Sequence, residues 1–261
     1  MSVSVAQAEA IRGEFDQGEA GVITMLLEHP EHPIVRIEGA LVYFDTGAPQ
    51  SLIPGPNAPW TRKLGLSAPP MSGLTSMAFE QTRNTLTRLT GGLRIDALVG
   101  MDLITEHGLA YDLSAGEISW GISQQETGDL ITLRSELVLG LPVIKMELAG
   151  RKMRVILDTG CHTDGYVLDL PNMLPKAGII RDESPMFGPF ESAAWYAEAS
   201  VLAKNGSKIN LGRGRFGEAP PALEFALTSI GVDGVVGVPI LQQTGSILFE
   251  KNSVFLSQRQ G

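Results

Sequence analysis

Leu41-Val-Tyr-Phe-Asp-Thr-Gly-Ala48 and Val155-Ile-Leu-Asp-Thr-Gly-Cys161 say nearly the same thing. Each is an apolar run that ends in Asp-Thr-Gly. Average residue usage puts one such tripeptide by chance in roughly one chain of this length in twenty, so a single copy means little and two copies are far rarer. Position adds to the signal, because the two lie at equivalent points of an internal repeat. Ile23-Thr24, Pro33 to Glu38 and Asp45-Thr-Gly47 return in order as Ile131-Thr132, Pro142 to Glu147 and Asp158-Thr-Gly160. Ala97-Leu-Val-Gly100 is answered by Gly234-Val-Val-Gly237, and beyond it the halves align without a gap, Gly108 with Gly245 and Ile118 with Phe255. Two units of over 100 residues argue for a duplicated lobe and against a solenoid.

The spacing also shows where the halves differ. The aspartates are 113 residues apart and the glycines 137, so the second half carries 24 more residues between its Asp and its Gly. The expected organisation is an N-terminal arm over 1–20, a lobe over 21–121, a linker over 122–128 and a second lobe over 129–261. Short apolar stretches, 30 glycines and 16 prolines predict many short strands and turns.

The residue types suit acid–base work. Asp45 and Asp158 supply carboxylates. Gly47 and Gly160 let the backbone turn tightly beneath them, with amide N–H groups free to point at the carboxylate oxygens. Thr46 and Thr159 are small and carry hydroxyls that can donate to the opposite loop. Two carboxylates held close cannot both ionise, so they share a proton, and one site then contains a base and an acid.

Bulk properties remove other classes. A net charge of −9 and a pI near 5.0 speak against nucleic acid or anionic membrane surfaces as partners. No apolar run approaches the roughly 18 residues of a membrane span. Residues 1–21 contain no apolar signal segment, and the single cysteine, Cys161, excludes an intrachain disulfide. A cytoplasmic protein is the expectation.

Phe44-Asp-Thr-Gly-Ala48, Leu157-Asp-Thr-Gly-Cys161, Leu98-Val-Gly100 and Val235-Val-Gly237, four pieces in order, make the chain resemble the aspartic proteases of the pepsin and retropepsin clan. The resemblance covers about residues 21–257. Ala97-Leu-Val-Gly-Met-Asp-Leu-Ile104 is more similar to retropepsins than to pepsins. It implies an all-β, bilobal acid-protease-like fold of two pseudo-twofold-related, barrel-like lobes with short helices, and a monomer in which duplication replaces the homodimer. It implies an endopeptidase without metal or cofactor, acting on an extended peptide or protein substrate, with water activated between Asp45 and Asp158. A non-catalytic peptide-binding or scaffold protein on the same fold is the alternative, although a mere binder has no need of both aspartates.

The chain departs from the family in two respects. Pepsins usually carry Ser or Thr after the triplet. Ala48 and Cys161 lack that hydroxyl or replace it with a thiol, which raises the expected pKa values of the pair and moves the expected activity to mildly acidic or near-neutral pH. The covering hairpin is also unsettled. In the first half Met71 to Thr87 is expected to be a mobile hairpin with Phe79 as its only aromatic; in the second, Phe187 to Phe190 and Trp195-Tyr196 offer cover or packing. Cys161 reads as a small buried thiol rather than a redox switch.

Other signals are set aside. Gly212-Arg-Gly-Arg-Phe-Gly217 matches a dinucleotide fingerprint, but Pro220 and Pro221 speak against the helix it needs. His29 with His32, and Cys161-His162 with Asp164, lack the ligand count and spacing of a zinc site. Asp102 faces Pro239 in the repeat, so it reads as a helix N-terminal charge rather than half of a symmetric pair.

Overall fold

Both Asp-Thr-Gly loops are delivered by the same local build. In the computed structural model, which describes residues 22–29, 31–55, 57–66, 73–126, 130–170, 173–242 and 244–257, β2 (Ile34–Ile37) and β3 (Ala40–Phe44) form a hairpin whose second strand ends at Asp45. The turn places Glu38 and Gly39 at positive φ, 49° and 85°. β4 (Ala97–Val99) then runs parallel to β3, pairing Tyr43 with Leu98 and Phe44 with Val99. In the second half β9 (Leu141–Leu148) and β10 (Arg151–Leu157) form the hairpin, and β15 (Gly234–Val236) lies parallel to β10. Strands buried on both faces read as continuous apolar runs rather than alternating ones, which is why both motifs are preceded by such runs.

The halves meet in a six-stranded sheet. β1 (Ile23–Leu26), β6 (Glu117–Trp120) and β5 (Leu109–Asp112) come from the first half; β16 (Ser246–Glu250), β17 (Ser253–Leu256) and β7 (Ile131–Thr132) come from the second. Their order is β1-β6-β5-β16-β17-β7, so the β5–β16 pair sits at the centre of a pseudo-twofold arrangement. The gapless sequence alignment from Gly108 onward is this symmetry seen in one dimension. Tyr111, Ile118, Trp120, Ile247, Phe249 and Leu256 place their side chains in the main core.

The fold is mostly β, and its two halves are built alike around their Asp-Thr-Gly loops but are unequal. The first-half sheet has three strands, β2-β3-β4. The second has eight, extended by β8 (Ser135–Val138), β11 (Gly165–Val167), β12 (Lys176–Ser184), β13 (Gly188–Leu202) and β14 (Lys208–Glu218). The second-half surplus of residues lies largely in the long β12–β13–β14 meander.

Three expectations need correction. Residues Gly73–Leu89 are a 17-residue helix, not a hairpin. Phe79 and Leu86, seven residues apart, fall on one helix face, both buried against Ile34, Leu41, Tyr43, Ile95 and Leu98. Thr and Ser are weak helix formers, and packing of that face overrides them. Phe79 is therefore a core residue rather than a covering one. A helix, Pro221–Ser229, does follow the Gly-rich segment, with proline at its first turn, where a missing N–H costs nothing. Gly212 to Gly217 lie inside β14 instead of opening that helix, so no phosphate-binding turn exists there. The arm over 1–20 lies outside the described residues, as do 127 and 128 of the expected linker; Gln124–Glu126 form a single 3₁₀ turn.

Candidate active site

Asp45 N–H donates to Val99 O and Asp158 N–H to Val236 O, both at 2.9 Å, so each motif is tied to its parallel neighbour at the residue that carries the carboxyl. Each chain then turns back beneath its side chain: Ala48 N–H reaches Asp45 O and Cys161 N–H reaches Asp158 O, both at 3.2 Å. The turn aims amides at the carboxyls. Gly47 N–H donates to Asp45 Oδ1 at 2.8 Å and Gly160 N–H to Asp158 Oδ1 at 2.7 Å.

The threonines lock the two loops together. Thr46 Oγ1 donates to Leu157 O at 2.8 Å, and Thr159 Oγ1 donates to Phe44 O at 2.9 Å. Each hydroxyl also accepts from the other threonine's N–H, at 3.0 and 2.9 Å. Both side chains are fully buried. Four reciprocal bonds out of water leave the loops no freedom to drift apart without stranding buried polar groups.

The glycines set the closeness of the pair. A Cβ on Gly47 would run into the Asp158 carboxyl, and one on Gly160 would lie 2.8 Å from Asp45 Oδ1. Burial, then the charge and hydrogen-bonding influence of the neighbouring Asp158 carboxyl, hold Asp45 well above the usual carboxylate range. Burial also raises Asp158, against the pull of the Gly160 amide and the Asp45 carboxyl. The pair as a unit holds a proton past the point where a free aspartate would lose it.

Around this centre the predicted residues separate. Cys161 packs against the second-half cluster, its Sγ 3.5 Å from Thr163 Oγ1, and burial pushes the thiol up to about 12, which keeps it protonated and unreactive. Trp195 is half-buried against the main core, and Tyr196 lies under the Arg213 guanidinium, 4.6 Å from its ring centre. Both sit on β13 well along from its turn. The tip of the β12–β13 hairpin is Pro185-Met-Phe187, with Met186 almost fully exposed. Asp102 supports the first loop through Ser51: the Ser51 hydroxyl donates to Asp102 Oδ1 at 2.5 Å and accepts from Gly100 N–H at 2.9 Å.

Sequence reasoning missed the surroundings of the second loop. Asp182 on β12 accepts from Tyr166 Oη at 2.6 Å and stands 3.3 Å from His162 Nε2. His162 packs on His32, ring centres 5.1 Å apart, and His32 on His29 at 5.0 Å. Burial and the flanking rings push His32 down to about 3, and its Nδ1 is buried without a hydrogen-bond partner. Residues 29, 32 and 162 belong to different halves of the repeat, and nothing in their spacing signals that they meet. Among the described residues, no three His, Cys, Asp or Glu side chains are placed to hold a metal ion, and no helix is long and apolar enough to cross a membrane. A surface cavity of about 380 Å³, bordered by Arg134, Lys145 and Lys204, does not touch the aspartates.

No family model and no curated protein matches the sequence. Solved structures similar in shape include the following two. Basic 7S globulin from soybean gives a TM-score of 0.38 at 13% identity, over 65% of this chain and 59% of that one. A retropepsin-like aspartic protease from Rickettsia conorii gives 0.31 at 14% identity, over 49% of this chain and 90% of that one.

Proposed function

We propose that the chain is an aspartic endopeptidase in which Asp45 and Asp158 act as one acid–base unit on an extended peptide. The observation that carries this reading is the reciprocal clasp of two Asp-Thr-Gly loops that sets two carboxyls side by side. Nothing structural requires the carboxyls to meet. Two half-buried acids side by side oppose folding when charged, and a fold that needed only a clasp would do better without them.

A water seated between the carboxyls gives a proton to the ionised one as its oxygen attacks the scissile carbonyl carbon. The protonated carboxyl donates to the carbonyl oxygen, and a tetrahedral diol forms. Collapse of the diol breaks the C–N bond while a carboxyl proton passes to the leaving nitrogen. Thr46, Gly47, Thr159 and Gly160 hold the geometry. In this reading the lobes over 21–121 and 129–261 form the two walls of the cleft, and the β12–β13 hairpin covers it from the second wall alone. That hairpin is anchored to the first half where the Arg88 guanidinium pairs with Glu183.

Digestion of a denatured protein mixture, with and without a statin-type inhibitor, tests the proposal. Cleavage that the inhibitor blocks, and that Asp158→Asn lacks, supports it. Absence of cleavage at every pH from acid to neutral rejects it in favour of a peptide-binding role, a reading favoured by the helix Gly73–Leu89 standing where a first-half hairpin was expected.

A further inference from the structure

The carboxyl pair has a third oxygen beside it that neither motif contains. The hydroxyl of Tyr43, two residues before Asp45, points at the second loop. A Cβ built on Gly160 would lie 2.7 Å from Tyr43 Oη, 2.8 Å from Asp45 Oδ1 and 3.0 Å from Asp158 Oδ1. All three oxygens thus crowd the same side of the Gly160 Cα.

The phenol is held there rigidly. Tyr43 pairs with Ile34 on β2 and Leu98 on β4, and its ring is buried, at 3% exposure, among Phe79, Leu86 and Ile95. The helix Gly73–Leu89 is what packs this ring from outside. The titratable groups facing it are Asp45 on its own strand, Asp158 and Cys161 from the second loop, Tyr111 from β5, and His32, whose ring centre is 6.4 Å away. Burial, then the two aspartates, hold the phenol well above its ordinary range, so it is a donor at every working pH.

We infer that Tyr43 is a positioning residue of the site, whose hydroxyl donates through a bridging water to the Asp45–Asp158 pair and so favours its singly ionised form. The inference rests on the peptidase reading for its catalytic consequence, but not for its effect on protonation. It also explains a departure noted in the sequence. Ala48 provides no side-chain hydroxyl after the first triplet, and Cys161 turns its thiol to Thr163. A phenol arriving from the strand would reach the same carboxyls through that water, from another direction.

Tyr43→Phe keeps the ring and removes only the donor. With a cleavable peptide, kcat is expected to fall about tenfold with little change in KM, since one hydrogen bond to a charged group is lost. The acidic limb of the pH–rate profile is expected to move to higher pH, because removing a donor to the ionised form raises the pKa of the pair. A merely structural tyrosine would leave the pH profile in place. Carbon-13 NMR of labelled aspartates in wild type and Tyr43→Phe gives a readout independent of cleavage: the pair's titration is expected to shift upward in the variant. Superimposable titrations and profiles overturn the inference. If the wild type cuts no peptide yet the titration shifts, the phenol's role stands and the peptidase reading fails.

Discussion

Thr46 and Thr159 carry more of the site's stability than their size suggests. Replacing Thr46 by Val keeps the shape but strands Leu157 O and Thr159 N–H in a buried place. At about 1–3 kcal/mol for each unsatisfied group, a loss of about 3 kcal/mol is expected in chemical denaturation, and Thr46→Ser is expected to recover most of it. The aspartates act in the opposite sense. Their folded pKa values lie above the ordinary aspartate value of 3.8. Below that pH both folded and unfolded chains are protonated and the pair costs nothing in charge. As pH rises through it the unfolded chain ionises first, and stability falls until the pair's own pKa is passed. Asp45→Asn is therefore expected to raise Tm by a few degrees at neutral pH and to lose that advantage in acid; thermal melts across pH check it. At this scale the sequence was informative, because Asp-Thr-Gly written twice already names the carboxyls and the clasp. Tyr43 escaped notice because an aromatic in an apolar run looks like any other strand residue.

Among the elements, the strands around each motif were legible and the covering segments were not. Apolar runs ending in Asp-Thr-Gly, and short Leu-Val-Gly or Val-Val-Gly runs, have one place to go in a paired sheet. Gly73–Leu89 offers only a sparse apolar stripe among Ser, Thr and Gln, so its sequence resembles a loop while its packing makes it a helix. Phe79→Ala tests that packing. With the ring 1% exposed, a loss of about 4 kcal/mol is expected, together with weakened support for Tyr43. A loss under about 1 kcal/mol in the same denaturation measurement would show that the helix does not depend on this contact. The β12–β13 hairpin is joined to that helix by the Arg88–Glu183 pair, which is largely exposed on the Arg88 side. Glu183→Ala is expected to change global stability by less than about 1 kcal/mol, while raising hydrogen exchange at the hairpin tip; an unchanged exchange pattern would contradict the anchoring.

At the level of the whole molecule the duplication was readable and its asymmetry only partly so. Gap-free alignment after Gly108 matches the pseudo-symmetry of the six-stranded sheet, and the surplus in the second half matches its larger sheet. What the surplus could not reveal is that the first half would replace a hairpin with a helix, or that His29, His32 and His162 would gather between the halves. Those contacts join distant segments whose local patterns carry no trace of each other. The resulting site is a near-symmetric pair in an unsymmetric enclosure. Its raised protonation predicts activity at mildly acidic to near-neutral pH, and a pH–rate profile peaking in strong acid would contradict that.

The central claim is that Asp45 and Asp158 work as one unit, and peptide cleavage by Asp45→Asn, Asp158→Asn and the double variant tests it most directly. Residues that act together are not additive. Each single variant is expected to lose activity by about 10⁴-fold, and the double variant to be no worse than either. Wild-type cleavage by one single variant, or losses that multiply in the double, would contradict the account.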